Sequence, residues 1–220
     1  MPHAPTFVAN GVTHSAKSNR GRRRPFLAGR TIGQTLTLNY VSGRSLVETW
    51  GTLPAERAQT YPCDELIEHP DGALFRGVDA AAPSEMVFRW LCQLRVAPYS
   101  YDWIDNLGRR SPRQLVPGLE ELVVGQRFMT IFRLVSFEDG RSITLDSNTA
   151  AFGRVAVSYA VLPAAKRQSR LVAKIVFQPP RGLVGLVMRH VLPAGDLVMM
   201  RKQLVTLKAL AEREARSPSE

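Results

Sequence analysis

Two stretches decide the fold: Arg154-Val155-Ala156-Val157-Ser158-Tyr159-Ala160-Val161-Leu162 and Arg170-Leu171-Val172-Ala173-Lys174-Ile175-Val176-Phe177. Both alternate with period two. Val155, Val157, Tyr159 and Val161 share one face, opposite Ala156, Ser158 and Ala160. Leu171, Ala173, Ile175 and Phe177 share a face, opposite Lys174 and Gln178. Alternation of this kind, joined by a short polar stretch at 164–169, predicts antiparallel meander strands with one solvated face.

The pattern extends upstream. Gln126 to Phe137 and Ser142 to Leu145 read as two further strands, with turns at Glu138-Asp139-Gly140 and Asp146-Ser147-Asn148. Ala73 to Ala81 reads as an earlier strand, with Leu74, Arg76 and Val78 on one side. Pro83-Ser84-Glu85 opens a helix, because proline suits the first turn and an acid favours the positive end of the dipole. Val87, Trp90, Leu91 and Leu94 then fall on one helical face, and Pro98 closes the segment. Residues 99–112 form an aromatic, acid-dotted connection with a short helical piece.

Downstream, Gly182 to Leu192 is apolar enough for a buried or half-buried helical turn or two. Pro193 and Gly195 should break it, with Asp196 capping a second helical segment. Leu197, Met200, Leu204, Leu207 and Ala211 then mark one face of an amphipathic helix of about five turns. No continuous run of about eighteen apolar residues occurs, so no bilayer-spanning helix is expected.

A curved sheet cannot bury its apolar face alone, and the long C-terminal helix is its cover. The expected class is therefore α+β: a curved antiparallel sheet wrapped around a long C-terminal helix, with an apolar cavity between them. Residues 1–45 read as a basic, largely disordered arm with one short strand around Thr35–Val41. Residues 46–72 read as an extended lead-in, 73–214 as the ligand-binding domain and 215–220 as a frayed tail.

The chain of 220 residues carries a formal charge of +10, which is concentrated at one end. Residues 1–50 hold seven Lys or Arg against one acid, Glu48. The densest piece is Arg20-Gly21-Arg22-Arg23-Arg24. Such an arm suits contact with an anionic membrane surface. The remainder shows no aromatic-basic interleaving, which disfavours nucleic acid. Arg23-Arg24-Pro25-Phe26-Leu27 has the form of an export signal, but Arg30 interrupts the apolar segment such a signal needs. The expected location is cytoplasmic, with Cys63 and Cys92 reduced. Four scattered histidines and two distant cysteines make no metal set, and no phosphate-binding glycine motif occurs, so no cofactor is expected.

Several of these segments resemble the helix-grip superfamily often labelled SRPBCC, which includes START lipid-transfer domains and polyketide cyclases. Pro62-Cys63-Asp64-Glu65-Leu66 resembles the P-G-D-E-L lead-in of a bacterial branch of undetermined function. Ala82-Pro83-Ser84-Glu85-Met86-Val87-Phe88-Arg89-Trp90-Leu91 is similar to its A-P-x-x-V-W-x-W-L, and Tyr99-Ser100-Tyr101-Asp102 to its Y-S-Y-D. Val124-Gly125-Gln126 stands where that branch has V-G-D, and Gln93-Leu94-Arg95 lacks its Q-x-G glycine. The resemblance implies a helix-grip fold that binds a hydrophobic small molecule or lipid. It also implies an alternative, a polyketide cyclase or dehydratase.

The candidate pocket residues are chosen by position. Tyr99, Tyr101 and Asp102, with Asp105 nearby, form a rim where a phenol and a carboxylate could orient a ligand or move a proton. Each also has a plainer use: tyrosines pack loops and aspartates cap helices. Trp90 serves as core or as ligand shelf. Tyr159 needs a partner for its hydroxyl, for which Arg133 or a water would serve. Leu197, Met199, Met200 and Leu204 line the covering helix, where methionine suits an adaptable pocket or plain core packing. His190 belongs on a helix end or surface and has no triad-type partner. No pair of these groups has catalytic spacing, so binding is expected rather than catalysis, and the oligomeric state stays open.

Overall fold

The computed structural model describes residues 43–164 and 167–217. The Thr35–Val41 strand and the end of the frayed tail lie outside them. Helix α1 (Gly43–Thr49), α2 (Pro54–Arg57) and a 3₁₀ turn (Pro62–Glu65) lead into β1 (Gly72–Ala80). Helix α3 (Ser84–Cys92) continues into a 3₁₀ turn (Gln93–Arg95), and α4 (Asp102–Asp105) is a single turn. Five strands come next: β2 (Arg127–Phe128), β3 (Phe132–Glu138), β4 (Ser142–Thr149), β5 (Gly153–Pro163) and β6 (Ser169–Gln178). The chain then runs into α5 (Leu183–Arg216).

The strands form one curved antiparallel sheet in the order β1-β6-β5-β4-β3-β2. The first strand thus lies beside the last. Leu74 pairs with Ile175, and Val157 pairs with both Ile175 and Leu145, so the predicted apolar faces register across the sheet. The C-terminal half of α5 covers that face. Met200, Leu204, Leu207, Leu210 and Ala211 join Trp90, Leu91 and Leu94 of the α3 segment and the strand residues in one core. This sheet with its long covering helix is the helix-grip arrangement.

Several expectations are corrected. The lead-in over 46–72 is not simply extended, because it holds most of α1, all of α2 and the 3₁₀ turn. The strand expected over Gln126–Phe137 is two strands, because Met129 and Thr130 both take positive φ (43° and 69°) and reverse the chain. The turn expected at Asp146-Ser147-Asn148 is strand, paired with Ala156, Val155 and Arg154. The far side of the sheet is not simply solvated. Tyr61, Cys63 and Ile67 pack there on Ala156, Val172 and Val176.

The remaining corrections concern α5. It runs unbroken through Pro193 and Gly195 for 34 residues. Arg76 reaches the Pro193 carbonyl, at 3.5 Å, and the Asp196 carboxylate, which supports the backbone near the proline. Asp196 is thus interior to the helix rather than its cap. The apolar stretch before it is mostly exposed rather than buried: Leu183, Val184, Leu186, Val187 and Val191 all face outward. As one element, α5 is long and apolar enough by length and composition to cross a membrane, which the broken sequence pattern concealed.

The lead-in is clasped to the sheet by charge. The Cys63 amide donates to Ser158 Oγ at 2.9 Å. The Lys174 ammonium donates to Asp64, 2.7 Å away, and Asp64 also accepts from the Tyr61 amide. Arg170 is bound to Glu56 and to the Gly51 carbonyl. Gly51 needs its positive φ of 72°, and a Cβ there would strike the Gly77 carbonyl.

Candidate functional site

Beside the well-packed core, the sheet and the N-terminal half of α5 diverge and leave space. An inner cavity of about 190 Å³ lies among Tyr159, Met200, Gln203, Val157 and Pro98. An outer cleft of about 990 Å³ lies among Phe152, Ile104, Leu107, Met188, Val191 and Leu192. The two share Met129, Ile131, Phe132, Val155, Ile175, Met199, Asp105 and Asp196. Those residues form a neck, apolar except for two carboxylates.

The neck is built from separate elements. Met129 and Ile131 come from the tight β2–β3 turn, Val155 from β5, Ile175 from β6, Met199 and Asp196 from α5, and Asp105 from the end of α4. Adaptable methionine side chains on two sides suit a space that takes ligands of variable shape.

Asp196 is only 15% exposed at its side chain, and it meets the fully buried Arg76 at 2.6 Å. Burial pushes its carboxyl up to about 6, against the opposing pull of Arg76. Asp105 is raised too, by burial, although the Ser100 hydroxyl pulls the other way. Its Oδ1 is buried with no hydrogen-bond partner. An unpartnered carboxylate oxygen at an apolar neck is a ready acceptor for a ligand donor.

Deeper in, the Tyr159 hydroxyl donates to Gln203 Oε1 at 2.7 Å, and Gln203 Nε2 donates to the Pro98 carbonyl at 2.8 Å. Burial moves the Tyr159 phenol far above its ordinary range. This chain of bonds is internally satisfied and holds α5 to the 98–100 segment.

The residues singled out in the sequence are scattered. Tyr159 and Met200 line the inner cavity. Arg133 does not reach Tyr159: it is exposed and donates to the Gly125 carbonyl. Trp90 and Tyr99 are in the closed core, edge to face with centroids 6.1 Å apart. Leu204 is also core, with no exposed surface. Tyr101 lines a different groove with Trp50 and Arg201. Asp102 accepts from the Ser111 amide and hydroxyl and so ties the loop together. His190 is exposed, with Nδ1 3.0 Å from the Leu186 carbonyl.

Sequence reasoning missed Arg76, Asp196 as a neck residue, Gln203 and Met129, whereas Met199 of the covering helix does line the neck. One signal was readable: Arg76 sits between Leu74 and Val78 on the inward face of its strand. A buried arginine requires a buried acid. Among the described residues, no group of three or more His, Cys, Asp or Glu could hold a metal ion.

No family model matches the chain, and no curated protein matches it. Solved structures similar to part of the chain are found at low identity. The Zhui aromatase/cyclase from Streptomyces sp. R1128 is 15% identical, over 66% of this chain and 96% of that one, with a TM-score of 0.46. A START superfamily protein from Mycobacterium smegmatis is 9% identical, over 64% and 98%, with a TM-score of 0.42. A protein from Thermobifida fusca is 16% identical, over 67% and 98%, with a TM-score of 0.45.

Proposed function

We propose that this protein binds an apolar small molecule or lipid in the cleft between its sheet and the N-terminal half of α5. The observation that carries this reading is the apolar neck joining the outer cleft to the inner cavity, with Asp105 Oδ1 unpartnered at its wall. A drug-sized ligand fits a cleft of this volume. Each buried methylene would contribute about 0.8 kcal/mol. A hydroxyl or amine on the ligand would meet Asp105, so an amphipathic ligand with a donor at one end is favoured over a pure hydrocarbon.

The test uses Nile red, a neutral apolar dye, titrated against the full chain. Saturable binding to one site, displaced by dodecanol and lost in Ile131→Glu, supports the reading. Ile131 is a half-exposed turn residue of the neck, so this charge does not enter the core. Absence of saturable dye binding by the folded protein rejects it. Extraction of the purified protein for a co-purifying lipid addresses ligand identity.

A second reading is acid–base chemistry on a bound polyketide-like substrate. The observation favouring it is that two carboxyls meet at the neck and burial raises both, Asp196 to about 6. Turnover of a poly-β-ketone, abolished by Asp105→Asn or Asp196→Asn with binding retained, would establish it.

A further inference from the structure

Large apolar side chains face water at the mouth of the cleft and at chain positions adjoining it (Trp103 beside Ile104, Leu183 at the start of α5), and they come from four separate segments. Leu107, Leu183 and Trp103 are 88%, 83% and 76% exposed. Ile131 and Phe152 stand at the tips of two strand turns, and Val191 lies along α5; each is about half exposed. Ile104, Leu107, Ile131, Phe152, Val191 and Val198 line the cleft itself, so rim and cleft are one continuous apolar surface. Leaving this much apolar surface in water is unfavourable, and contiguous exposed patches of this kind mark interaction sites.

We infer that this rim inserts into the surface of an anionic lipid bilayer, with the cleft opening toward the membrane. The basic residues choose the occupant. Arg109 lines the mouth and Arg110 is next in the chain; Arg181 lies just before α5. These three have no ion pair among the described residues. Arg189, on the same half of α5, is paired with Asp71, and His190 is exposed. The acids nearby are turned inward: Asp105 faces the neck and Asp196 is held by Arg76.

An apolar rim with a basic fringe complements anionic headgroups. Facing the rim of a second copy, the same arginines would repel their counterparts. Insertion is shallow rather than spanning, because the apolar stretch of α5 is tied to the fold within its own length, Asp196 by Arg76 and Met200 in the core. All rim residues follow residue 102 in sequence, whereas the basic segment precedes residue 43.

Vesicle binding tests the inference on the full-length chain. The protein should cosediment with vesicles of phosphatidylcholine containing phosphatidylglycerol, and far less with pure phosphatidylcholine. Trp103 emission should shift to the blue on binding, and Trp103→Phe should remove that shift. Leu107→Glu with Leu183→Glu should weaken binding by at least about tenfold, less than the burial of two leucines is worth. Both positions are exposed, so the melting temperature should not move.

Three results overturn the inference. The first is no binding to anionic vesicles. The second is undiminished binding by the double glutamate variant, which would assign binding to the basic arm. The third is a protein that dimerises through these leucines and ignores lipid. Nile red binding reports separately on the cleft, so its loss with vesicle binding intact strikes only the ligand reading.

Discussion

The Arg76 guanidinium on β1 lies 2.6 Å from the Asp196 carboxylate on α5, across 120 positions of sequence. This contact fixes the point where α5 leaves the core. C-terminal to Asp196 the helix packs on the sheet and α3. N-terminal to it, the helix stands off and opens the cleft. Removing one partner strands a buried charge. Arg76→Met should therefore cost about 3–5 kcal/mol in urea unfolding, and adding Asp196→Leu should restore most of it. An additive loss in the double variant would show that the two side chains act separately.

The same pair gives a titration. Asp196 is raised to about 6, so the folded chain holds its proton more tightly than the unfolded chain does. Between about pH 4 and that value this group makes stability fall as pH rises, and above it the slope vanishes. Carboxyl carbon NMR should show a midpoint near the raised value, and Arg76→Gln should move it higher by removing the opposing pull. A midpoint in the ordinary aspartate range would show that the carboxylate is hydrated.

Much of the fold was legible because its decisive elements alternate cleanly. β5 and β6 match Val155–Val161 and Leu171–Phe177, and the α3 face matches Val87–Leu94. What could not be read depended on distant contacts. Pro193 and Gly195 are local helix breakers, and the contacts that hold the helix beside them come from Arg76 on a distant strand. Met129 and Thr130 adopt positive φ without glycine, asparagine or aspartate, so no turn chemistry announced the hairpin. The site was harder still. Its neck draws one or two residues from each of six segments, and Tyr99 and Asp102, which look chemical in sequence, serve packing and loop closure.

Tyr159 joins cavity to core. Its hydroxyl satisfies Gln203 Oε1, and Tyr159→Phe leaves that buried oxygen unpaired. The expected cost is about 1–3 kcal/mol of stability. Nile red affinity should change by at most about tenfold, about 1.4 kcal/mol, because the hydroxyl is already committed to the protein. A large loss of dye affinity with stability unchanged would mean that the phenol instead faces the ligand.

The two halves of α5 should respond oppositely to truncation. Leu204 has no exposed surface and packs in the core, so Leu204→Ala should cost about 2–5 kcal/mol. Leu183 is mostly exposed, and Leu183→Ala should stay within about 0.5 kcal/mol. Equal costs at both positions would mean that the N-terminal half is buried in solution.

Glu56 supplies a pH dependence of the opposite sign to Asp196. Burial alone would raise its carboxyl, but the Arg170 guanidinium and the Leu53 amide, 2.8 Å away, more than offset that and hold it below the ordinary glutamate value. The unfolded chain therefore binds the proton more readily. The stabilisation is complete above the ordinary value of about 4.3 and is lost as pH falls through the lower folded value. Glu56→Gln should cost about 1.5–3 kcal/mol at pH 7, typical of hydrogen bonds to a charged group. Arg170 keeps the exposed Asp79, 2.9 Å away, as a weaker substitute. The gap between variant and wild type should shrink steadily as unfolding is measured from neutral into acid solution. A gap that stays constant down to about pH 3, below the ordinary glutamate value, would show that the clasp depends on the shape of the side chain and not on its charge.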